Sequence, residues 1–340
     1  MHAAGSREKE KTMKISVLGC GRWGSFIGWY LATHGHEVCL WGPEGGEAYE
    51  VLKETGKNEY VSLDKRITLT CDLKAALDFA DTSIISIPSQ AVRGFMQKIK
   101  DLGGLERTFV LCMKGIEVAT GCRLSEVLIE TGVKKENIAV WVGPGHIQAF
   151  TQGIPNCMVI DSYSDTLKKR LCEEFGSSLI RFYLGEDIIG TEVGAAAKNV
   201  MGIVAGMLDG CGYAALKGAL MARGAREVAR LIKAMGGNEL SAYGLAHLGD
   251  YEATLFSPYS HNRAYGESIV SGRIFEKLAE GVPTAGALKK LGEKYGVDLP
   301  ITNVVYEICY EKSENETGRE KALRLLERLF SRDTKSEFYA

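Results

Sequence analysis

The chain has 340 residues, more than one ordinary hydrophobic core organises, and its length predicts two domains. Its 45% hydrophobic and 25% charged residues are typical of a globular protein, and a net charge of -2 gives no sign of binding to nucleic acid or to an anionic membrane. Nine cysteines without a CxxC pair indicate reduced thiols, which predicts a cytoplasmic location.

The first twelve residues form a polar stretch without the apolar core of a secretory signal, and we predict a mobile extension over residues 1–12. The chain has no uninterrupted apolar run of about 18 residues, so no transmembrane helix is predicted. The first domain is expected to begin at residue 13.

A glycine-rich turn follows the first predicted strand, residues 14–18, and leads into a helix predicted over residues 25–33. Gly19, Gly21 and Gly24 have the GxGxxG spacing between a strand and a helix, the context that a dinucleotide-binding turn requires. In that interpretation Gly19 permits the tight turn, Gly21 lets the backbone approach a diphosphate, and Gly24 lets helix and strand pack closely. A turn with a structural role alone is the alternative.

A second strand, predicted at residues 37–41, ends where nicotinamide-binding domains carry the residue that reads the ribose. The loop at residues 42–46 has no basic residue, and its acid is Glu44. An acid selects the 2′-hydroxyl of NAD, whereas an arginine selects the 2′-phosphate of NADP. NAD or NADP therefore both stay open as the cofactor, with NAD favoured.

The alternation of strands and helices continues through the first half and predicts a mainly parallel sheet with helices on both faces. Further strands are predicted at residues 82–87, 108–113, 137–142, 157–161 and 179–183, and helices at residues 89–99 and 165–175. Ligands bind beyond the carboxyl ends of such strands, where Pro88, Lys114 and Gly143 lie. Lys114 is equally compatible with a solvated surface lysine, and His146, near a helix start, is expected to be structural.

The stretch at residues 191–210 is small or apolar on every face, which predicts a buried central helix. Lys198 lies in its middle, and because an unpaired buried ammonium is costly, we expect this lysine to be paired or functional. Asp209 follows about three turns later and shares the face of Lys198. Gly202 and Ala205 lie between them and leave room beside the lysine. The alternative is an amine that reaches solvent at the helix edge.

Beyond residue 187 the patterns are helical. Helices are predicted at residues 214–235, 276–280, 284–295, 301–310 and 321–330, with a polar loop at residues 257–263. The predicted architecture is an α/β, Rossmann-like, doubly wound and mainly parallel sheet over residues 13–186. An all-α domain built around the buried central helix follows over residues 187–340.

A set of short motifs, found in one order along the chain, resembles the NAD(P)-dependent glycerol-3-phosphate dehydrogenase family from Met13 to about Tyr310. Each motif is short, but the ordered set is specific. The motifs are GxGxWG (19–24), Ile-Pro-Ser (87–89), Lys-Gly-Ile-Glu (114–117), Gly-Pro-x-His (143–146), Ala-Lys-Asn (197–199), Asp-Gly (209–210), Arg-Gly (223–224), Leu-Gly-Asp (248–250) and Asn-Arg (262–263).

The resemblance implies reduction of dihydroxyacetone phosphate to sn-glycerol 3-phosphate with NADH or NADPH, and the reverse, feeding glycerophospholipid synthesis. It implies that Lys198 exchanges the proton at the substrate oxygen, which agrees with a desolvated amine that titrates near neutrality. It also implies that Lys114 is catalytic and lies near substrate and nicotinamide. The apolar helical surface of the second half predicts a homodimer, and no metal site is expected.

The resemblance implies two sets of binding residues. The cofactor set is Gly19, Gly21, Arg22, Trp23, Gly24, Pro88, Lys114, Ile147, His261, Leu278 and Glu280. The set for the phosphorylated small-molecule substrate is Lys114, Gly143, Gly145, Lys198, Asn199, Asp250, Ser260, His261, Asn262 and Arg263.

The chain departs from the family pattern mainly on the substrate side. His261 stands where an arginine that grips the substrate phosphate is usual, and histidine is at most partly charged at pH 7 and lacks the guanidinium fork. Gly145 replaces a serine or threonine, and the segment after Asp209 is shorter and lacks its asparagine. Arg22 replaces a small polar residue of the glycine turn, and Arg263 remains to hold the phosphate.

Two other functions stay open. The departures on the substrate side favour a dehydrogenase of the same superfamily that acts on another hydroxyacid or sugar phosphate. A nucleotide-binding sensor without turnover is the second, and the presence of both Lys114 and Lys198 argues against it because a sensor does not need a buried amine.

Overall fold

The computed structural model describes residues 12–311, 315–334 and 336–337. The mobile extension predicted for residues 1–12 lies, up to residue 11, outside the described residues. In the described part of the chain, the first half forms a sheet with helices and the second half is helical.

The strands are β1 Lys14–Leu18, β2 Glu37–Trp41, β3 Ile67–Thr70, β4 Thr82–Ile85, β5 Thr108–Leu111, β6 Ile138–Val142, β7 Asn156–Ser162 and β8 Ile180–Leu184. They form one sheet in the order β3-β2-β1-β4-β5-β6-β7-β8. Neighbouring strands pair in parallel except β6 and β7, which are antiparallel. The predicted mainly parallel, doubly wound sheet is confirmed.

The helices of the first half are α1 Arg22–Thr33, α2 Glu47–Thr55, α3 Leu73–Phe79, α4 Val92–Asp101, α5 Leu124–Thr131, α6 Ile147–Thr151 and α7 Asp165–Phe175. Those of the second half are α8 Ile188–Cys211, α9 Lys217–Ala234, α10 His261–Ser271, α11 Gly281–Tyr295, α12 Pro300–Tyr310 and α13 Gly318–Phe330. The sequence patterns missed β3, α2, α3 and α5, and they predicted the start of α6 near His146 without its extent. These elements are short, so neither the strand period nor the helix period repeats often enough to be recognised.

Alternate residues of the strands pack into apolar clusters on opposite faces of the sheet. In β6, Trp141 packs with Tyr30 of α1 and Phe175 of α7 on one face. Val140, the preceding residue, belongs to the cluster of Leu128 of α5 on the other. Both faces are therefore covered, as a doubly wound sheet requires.

Two strands end two residues before the predicted position, β4 at Ile85 and β5 at Leu111. After β4 the chain turns across the glycine loop, and a Cβ on Gly19 would lie 2.1 Å from the carbonyl oxygen of Ser86. The helix predicted from residue 89 begins as a 3-10 turn, Ser89–Ala91, that leads into α4. The early end of β4 brings loop backbone close to the glycine turn.

The predicted buried central helix is confirmed as α8, which is buried along nearly its whole length. Its glycines let other segments approach at backbone distance. A Cβ on Gly206 would lie 1.9 Å from the carbonyl oxygen of Arg263 in α10, and one on Gly202 would lie 2.9 Å from Cγ2 of Thr254. The room expected beside Lys198 is therefore partly filled by α10 and Thr254.

Two helical predictions in the second half need correction. The segment at residues 276–280 is not helical. It leads into α11, whose first residue, Gly281, packs so closely on α8 that a Cβ would lie 2.6 Å from the carbonyl oxygen of Asn199. The helix predicted at residues 214–235 begins as a 3-10 turn, Ala214–Leu216, before α9.

The polar loop predicted at residues 257–263 is shorter than expected, because α10 already begins at His261. Ser260 caps this helix, and its Oγ accepts a hydrogen bond from the backbone N–H of Arg263 at 3.3 Å. A one-turn π-helix, Glu252–Phe256, precedes the loop. Both features face the helix that carries Lys198.

β8 ends at Leu184 and α8 begins at Ile188, while the division of the chain between residues 186 and 187 stays a prediction. Among the described residues, α8 alone has the length and apolar composition of a membrane span, and 94% of its most apolar window is buried inside the protein. All nine cysteines are free thiols.

Candidate active site

A cavity of about 520 Å³ lies where loops after β1, β4, β5 and β6 face α8 and the start of α10. This is the edge of the sheet at which doubly wound proteins bind ligands. The residues that line it are Gly21, Arg22, Trp23, Ser86, Ile87, Pro88, Cys112, Met113, Lys114, Gly145, His146, Ile147, Lys198, Asn199, Asp250, Ala253, Thr254, Tyr259, Ser260, His261, Asn262, Leu278 and Glu280.

Lys198 borders this cavity from the middle of α8 and is 8% exposed. Its Nζ donates a hydrogen bond to Oγ1 of Thr254 at 2.7 Å and lies 2.9 Å from Oδ2 of Asp250. Oγ1 of Thr254 in turn donates to the backbone oxygen of Asp250 at 2.7 Å. The amine is therefore paired inside the protein and does not reach solvent at the helix edge.

A second amine shares the same carboxylate oxygen. Nζ of Lys114 lies 2.6 Å from Oδ2 of Asp250 and donates a hydrogen bond to the backbone oxygen of Gly143 at 2.8 Å. The Lys114 side chain is 18% exposed, so it is not a freely solvated surface lysine. Two ammonium groups on one buried carboxylate leave an excess of positive charge, which suits an anionic ligand or a developing oxyanion.

Burial sets the titration of Lys198. Desolvation lowers its pKa, Asp250 opposes the change, and Lys114 adds to it, with a resulting pKa of about 8. A lysine with such a pKa exists in both protonation states near neutral pH, so it can donate and accept a proton.

Two asparagines connect the strand-end loop to three helices. Nδ2 of Asn199 in α8 donates to the backbone oxygen of Lys114 at 3.0 Å. Nδ2 of Asn262 in α10 donates to Oδ1 of Asn199 at 3.0 Å, and the N–H of Gly281 in α11 donates to Oδ1 of Asn262 at 2.9 Å. This network fixes the floor of the cavity beside the two lysines.

Two polar atoms on the wall, Oδ1 of Asp250 and Nε2 of His146, are buried without a hydrogen-bond partner among the described residues. Burial lowers the pKa of His146 to about 4, with further lowering by Lys198 and Arg22, so its ring is neutral at pH 7. Since buried polar groups nearly always have a partner, both atoms point to a polar ligand. His146, expected to be structural, lies in this site.

A second cavity, of about 540 Å³, opens beside the glycine turn, where Gly19, Gly21, Trp41 and Tyr49 line it. No atom lies within 4 Å of the position that a Cβ on Gly21 would take, whereas one on Gly24 would lie 1.8 Å from the carbonyl oxygen of Gly19. Gly21 thus leaves the backbone open to a ligand, and Gly24 permits close helix packing. These two features fit a dinucleotide whose diphosphate lies at the N-terminus of α1.

The acid on the wall of this second cavity is not the one that the sequence suggested. Glu44 is exposed and does not line it, whereas Glu47, the first residue of α2, does. Lys98 of α4 also lines it. The end of β2 therefore faces one acid and one cation.

Three residues of the predicted sets line neither cavity: Gly24, Gly143 and Arg263. Arg263 was expected to be available for the substrate phosphate, but its Nε lies 2.6 Å from Oδ2 of Asp209. The same oxygen lies 2.7 Å from Nζ of Lys217. Asp209 thus engages Arg263 and does not pair with Lys198.

His261 and Gly145 line the larger cavity as expected. Burial lowers the pKa of His261, and Arg22 and Lys277 lower it further, so the ring carries no full charge at pH 7. Gly145 has a φ of +138°, and a Cβ there would lie 2.4 Å from the ring of Phe150. The backbone therefore requires glycine at this position.

Sequence reasoning missed Thr254 and Tyr259, which also line the cavity. Thr254 reaches Lys198 because it lies in the π-helix Glu252–Phe256. Single π-helical turns are frequent at functional sites, but no sequence pattern marks them. Tyr259 packs with its ring centroid 5.7 Å from that of His146, and no signal in the sequence identifies this contact.

Comparison with known proteins agrees with this geometry. Two family models, the N-terminus and the C-terminus of NAD-dependent glycerol-3-phosphate dehydrogenase, match residues 14–168 and 187–318. A protein of Chlorobium limicola named glycerol-3-phosphate dehydrogenase (NAD(P)+) is 36% identical over 340 residues, which covers 96% of this chain and 100% of that protein. One of the same name from Moorella thermoacetica is 36% identical and covers 87% of this chain and 91% of that protein.

Solved structures show the same similarity. Glycerol-3-phosphate dehydrogenase from Coxiella burnetii matches with a TM-score of 0.84 and 27% identity and covers 93% of this chain and 99% of that one. A D-mandelate dehydrogenase with NADH shares the fold, with a TM-score of 0.61 and 19% identity over 88% of this chain and 98% of that one. The chain therefore belongs to the NAD-dependent glycerol-3-phosphate dehydrogenase family.

Proposed function

We propose that this protein interconverts sn-glycerol 3-phosphate and dihydroxyacetone phosphate by hydride transfer to or from NAD or NADP. The main support is the cavity in which Lys198, with a pKa of about 8, faces the open backbone of Gly21. The names of its relatives, which align along nearly the whole chain, agree with this activity. The phosphorylated alcohol feeds glycerophospholipid synthesis.

The first half of the chain, residues 13–186, is assigned the cofactor. Gly21 exposes backbone at the start of α1, where helix N–H groups favour a diphosphate. On the far side of the cavity, Oγ of Ser89 donates to Oε1 of Glu280 at 3.3 Å, and burial raises the pKa of Glu280. The nicotinamide supplies or takes up the hydride when it is bound.

Lys198 is assigned the proton transfer at the substrate oxygen. During ketone reduction the protonated amine donates to the developing alkoxide, and during alcohol oxidation the neutral amine accepts the hydroxyl proton. Thr254 and Asp250 hold Nζ in place, so the amine is oriented before the substrate arrives. This orientation lowers the entropic cost of reaching the reactive geometry.

Lys114 is assigned a supporting role in the same step. Its Nζ and that of Lys198 converge on Oδ2 of Asp250, so a substrate oxygen placed against both amines receives two donors in a largely desolvated site. Asn199, Ser260 and their neighbours in the predicted substrate set offer polar groups to the rest of the substrate. Residues 187–340 are thus proposed to be the substrate domain.

We further propose a homodimer in the cytoplasm that prefers NAD. Among the described residues, Leu240, Ile274 and Phe330 expose 68%, 90% and 63% of their surface, which provides apolar area for contact between two copies. The free cysteines agree with a reducing compartment. The loop at residues 42–46, which has no basic residue, and Glu47 on the wall of the second cavity support NAD, because a carboxylate repels the 2′-phosphate of NADP, whereas Lys98 on the same wall acts in the opposite sense.

A second candidate is a dehydrogenase of the same superfamily that acts on another hydroxyacid or sugar phosphate. Two observations favour it: His261 carries no full charge, and Arg263 is engaged by Asp209. Neither residue therefore supplies the full positive charge that a substrate phosphate needs.

Steady-state kinetics of the purified protein separate these functions. The proposal expects kcat/KM for dihydroxyacetone phosphate with NADH of about 10⁴ M⁻¹s⁻¹ or more. A clearly higher kcat/KM for a 2-oxoacid or another sugar phosphate replaces it with the second candidate. Tight binding of NADH without turnover of any tested substrate indicates a sensor instead.

A further inference from the structure

We propose that Arg22 binds the phosphate group of the substrate, so that this group is held by the first residue of α1 and not by an arginine of α10. This inference rests on the proposed function and extends it to a residue that determines substrate specificity. It follows from the positions and partners of the cations around the cavity.

The cations of the predicted substrate set are already engaged or carry no full charge. Nε of Arg263 lies 2.6 Å from a carboxylate oxygen of Asp209 and borders neither cavity. His261 borders the site but carries no full charge at pH 7. Lys198 and Lys114 share one carboxylate beside the reacting oxygen. A phosphate at the other end of the substrate thus lacks a dedicated cation from these residues.

Arg22 is positioned differently. It is half-buried and, among the described residues, no carboxylate lies within ion-pair distance of it. Its Nη2 donates a long hydrogen bond of 3.5 Å to Oε1 of Gln148, and its guanidinium lies over the ring of Tyr60 at 5.3 Å. Stacking on an aromatic ring holds the plane of the guanidinium and leaves its N–H edge available for a bidentate contact.

The space around Arg22 leads to the substrate side. It lines the cavity of Lys198 and also an adjoining cavity of about 400 Å³ that Ser260, His261 and Lys277 border. Arg22 and His261, the first residue of α10, both line these two cavities, which places the guanidinium near the start of α10. A phosphate between Arg22 and the N-terminus of α10 would receive the guanidinium from one side and helix N–H groups from the other.

Two phosphate groups can reach this position, that of the substrate and the diphosphate of the cofactor. The open backbone at Gly21 also faces the second cavity, which Trp41 and Tyr49 line at the end of β2. Arg22 does not line that cavity. Arg22 instead shares both of its cavities with His261 at the start of α10, which favours the substrate phosphate over the diphosphate at Gly21.

The variant Arg22→Ser tests the inference, with dihydroxyacetone phosphate and the phosphate-free dihydroxyacetone as substrates and NADH as the varied cofactor. Loss of a charge-assisted hydrogen bond of about 1.5–3 kcal/mol predicts a roughly 10–150-fold lower kcat/KM for dihydroxyacetone phosphate. Dihydroxyacetone has no phosphate group, and the inference places Arg22 away from the cofactor diphosphate. The kcat/KM for dihydroxyacetone and the KM for NADH are therefore expected to change by less than about threefold. Arg181→Ser, which removes an exposed arginine of β8, is the matched control.

The double variant Arg22→Ser/His261→Arg supplies a cation from α10 on the same cavity wall and is expected to restore much of the lost kcat/KM. Equal losses with both substrates, or a loss confined to the KM for NADH, would assign Arg22 to general structure or to the diphosphate and overturn the inference. An unchanged kcat/KM for dihydroxyacetone phosphate would also overturn it. Absence of turnover in the wild-type protein would instead reject the proposed function.

Discussion

The carboxylate of Asp250 lies 2.9 Å from the amine of Lys198 inside a largely desolvated site. Burial lowers the pKa of Lys198 and the carboxylate raises it, and the pKa of about 8 is the balance of these opposing effects. A buried lysine without an anionic partner has a pKa well below the ordinary value for lysine, because burial disfavours its charged form. Asp250 therefore keeps the amine able to carry a proton near neutral pH.

The two directions of the reaction should depend on pH in opposite senses around this pKa. Reduction of the ketone needs protonated Lys198, so its rate is expected to be level below pH 8 and to fall about tenfold per pH unit above it. Oxidation of the alcohol needs the neutral amine and is expected to rise with pH until about the same point. The measurement is kcat/KM in both directions between about pH 6 and pH 10. Parallel profiles in the two directions would contradict the assignment.

Replacing Asp250 with asparagine removes the charge that raises the pKa of Lys198. The fall in the reduction rate should then occur at lower pH. At pH values well above the pKa of the wild-type amine, turnover should decrease about tenfold for each unit by which the pKa is lowered, since the protonated fraction there changes tenfold per pKa unit. The control is Glu252→Gln, at an exposed position of the neighbouring π-helix. Lower turnover with an unchanged pH profile would show that Asp250 contacts substrate without setting the lysine.

Close packing of α8 on α10 predicts that Gly206→Ala is destabilising. The new Cβ would lie 1.9 Å from the carbonyl oxygen of Arg263, so α10 has to move, at a cost of about 1–3 kcal/mol in the free energy of unfolding. Gly218→Ala, in α9, has no atom within 4 Å of the new Cβ and is expected to be neutral or slightly stabilising. Urea unfolding of both variants checks the difference. Equal stability would show that the helices separate freely.

The open backbone at Gly21 predicts a variant that folds normally but binds cofactor poorly. Gly21→Ala adds a Cβ to empty space, so the melting temperature should be unchanged, while the dissociation constant for NADH should rise at least about tenfold because the methyl group occupies the diphosphate position. Gly28→Ala, with ordinary contacts of 3.7 Å or more, is the control on the same helix. Fluorescence titration with NADH measures both. Wild-type affinity in Gly21→Ala would place the diphosphate elsewhere.

Much of the sheet follows from local sequence. β1, β2 and α7 have the predicted bounds because a glycine follows each of them and Ser164 caps the start of α7. β3 was missed because its four residues are half-exposed and show no clear alternation. The helix predicted at residues 276–280 is absent because the packing of Gly281 on Asn199 determines the path of that segment, and such a long-range contact leaves no local pattern.

The sequence predicts most residues of the candidate site but not which side chains pair with each other. Burial of Lys198 could be inferred from the small residues around it. Its partner Thr254 could not, because a π-helix places that hydroxyl. The orientation of Arg263 was also unpredictable, since it depends on Asp209, which is 54 residues away in the chain. The positions of chemical groups are thus visible in sequence, whereas their pairing is decided by tertiary packing.

Turnover of the variant Lys198→Ala tests the proposed chemistry most directly. Loss of a proton-transferring group predicts a kcat for dihydroxyacetone phosphate reduction that is lower by about 10²–10⁴-fold, with the dissociation constant for NADH nearly unchanged. The control is Lys217→Met, which removes another buried lysine while Asp209 keeps Arg263 as a partner, and it should retain near wild-type kcat. Wild-type turnover by Lys198→Ala, in a folded protein that binds NADH, would contradict the assignment of Lys198 as the proton donor and acceptor.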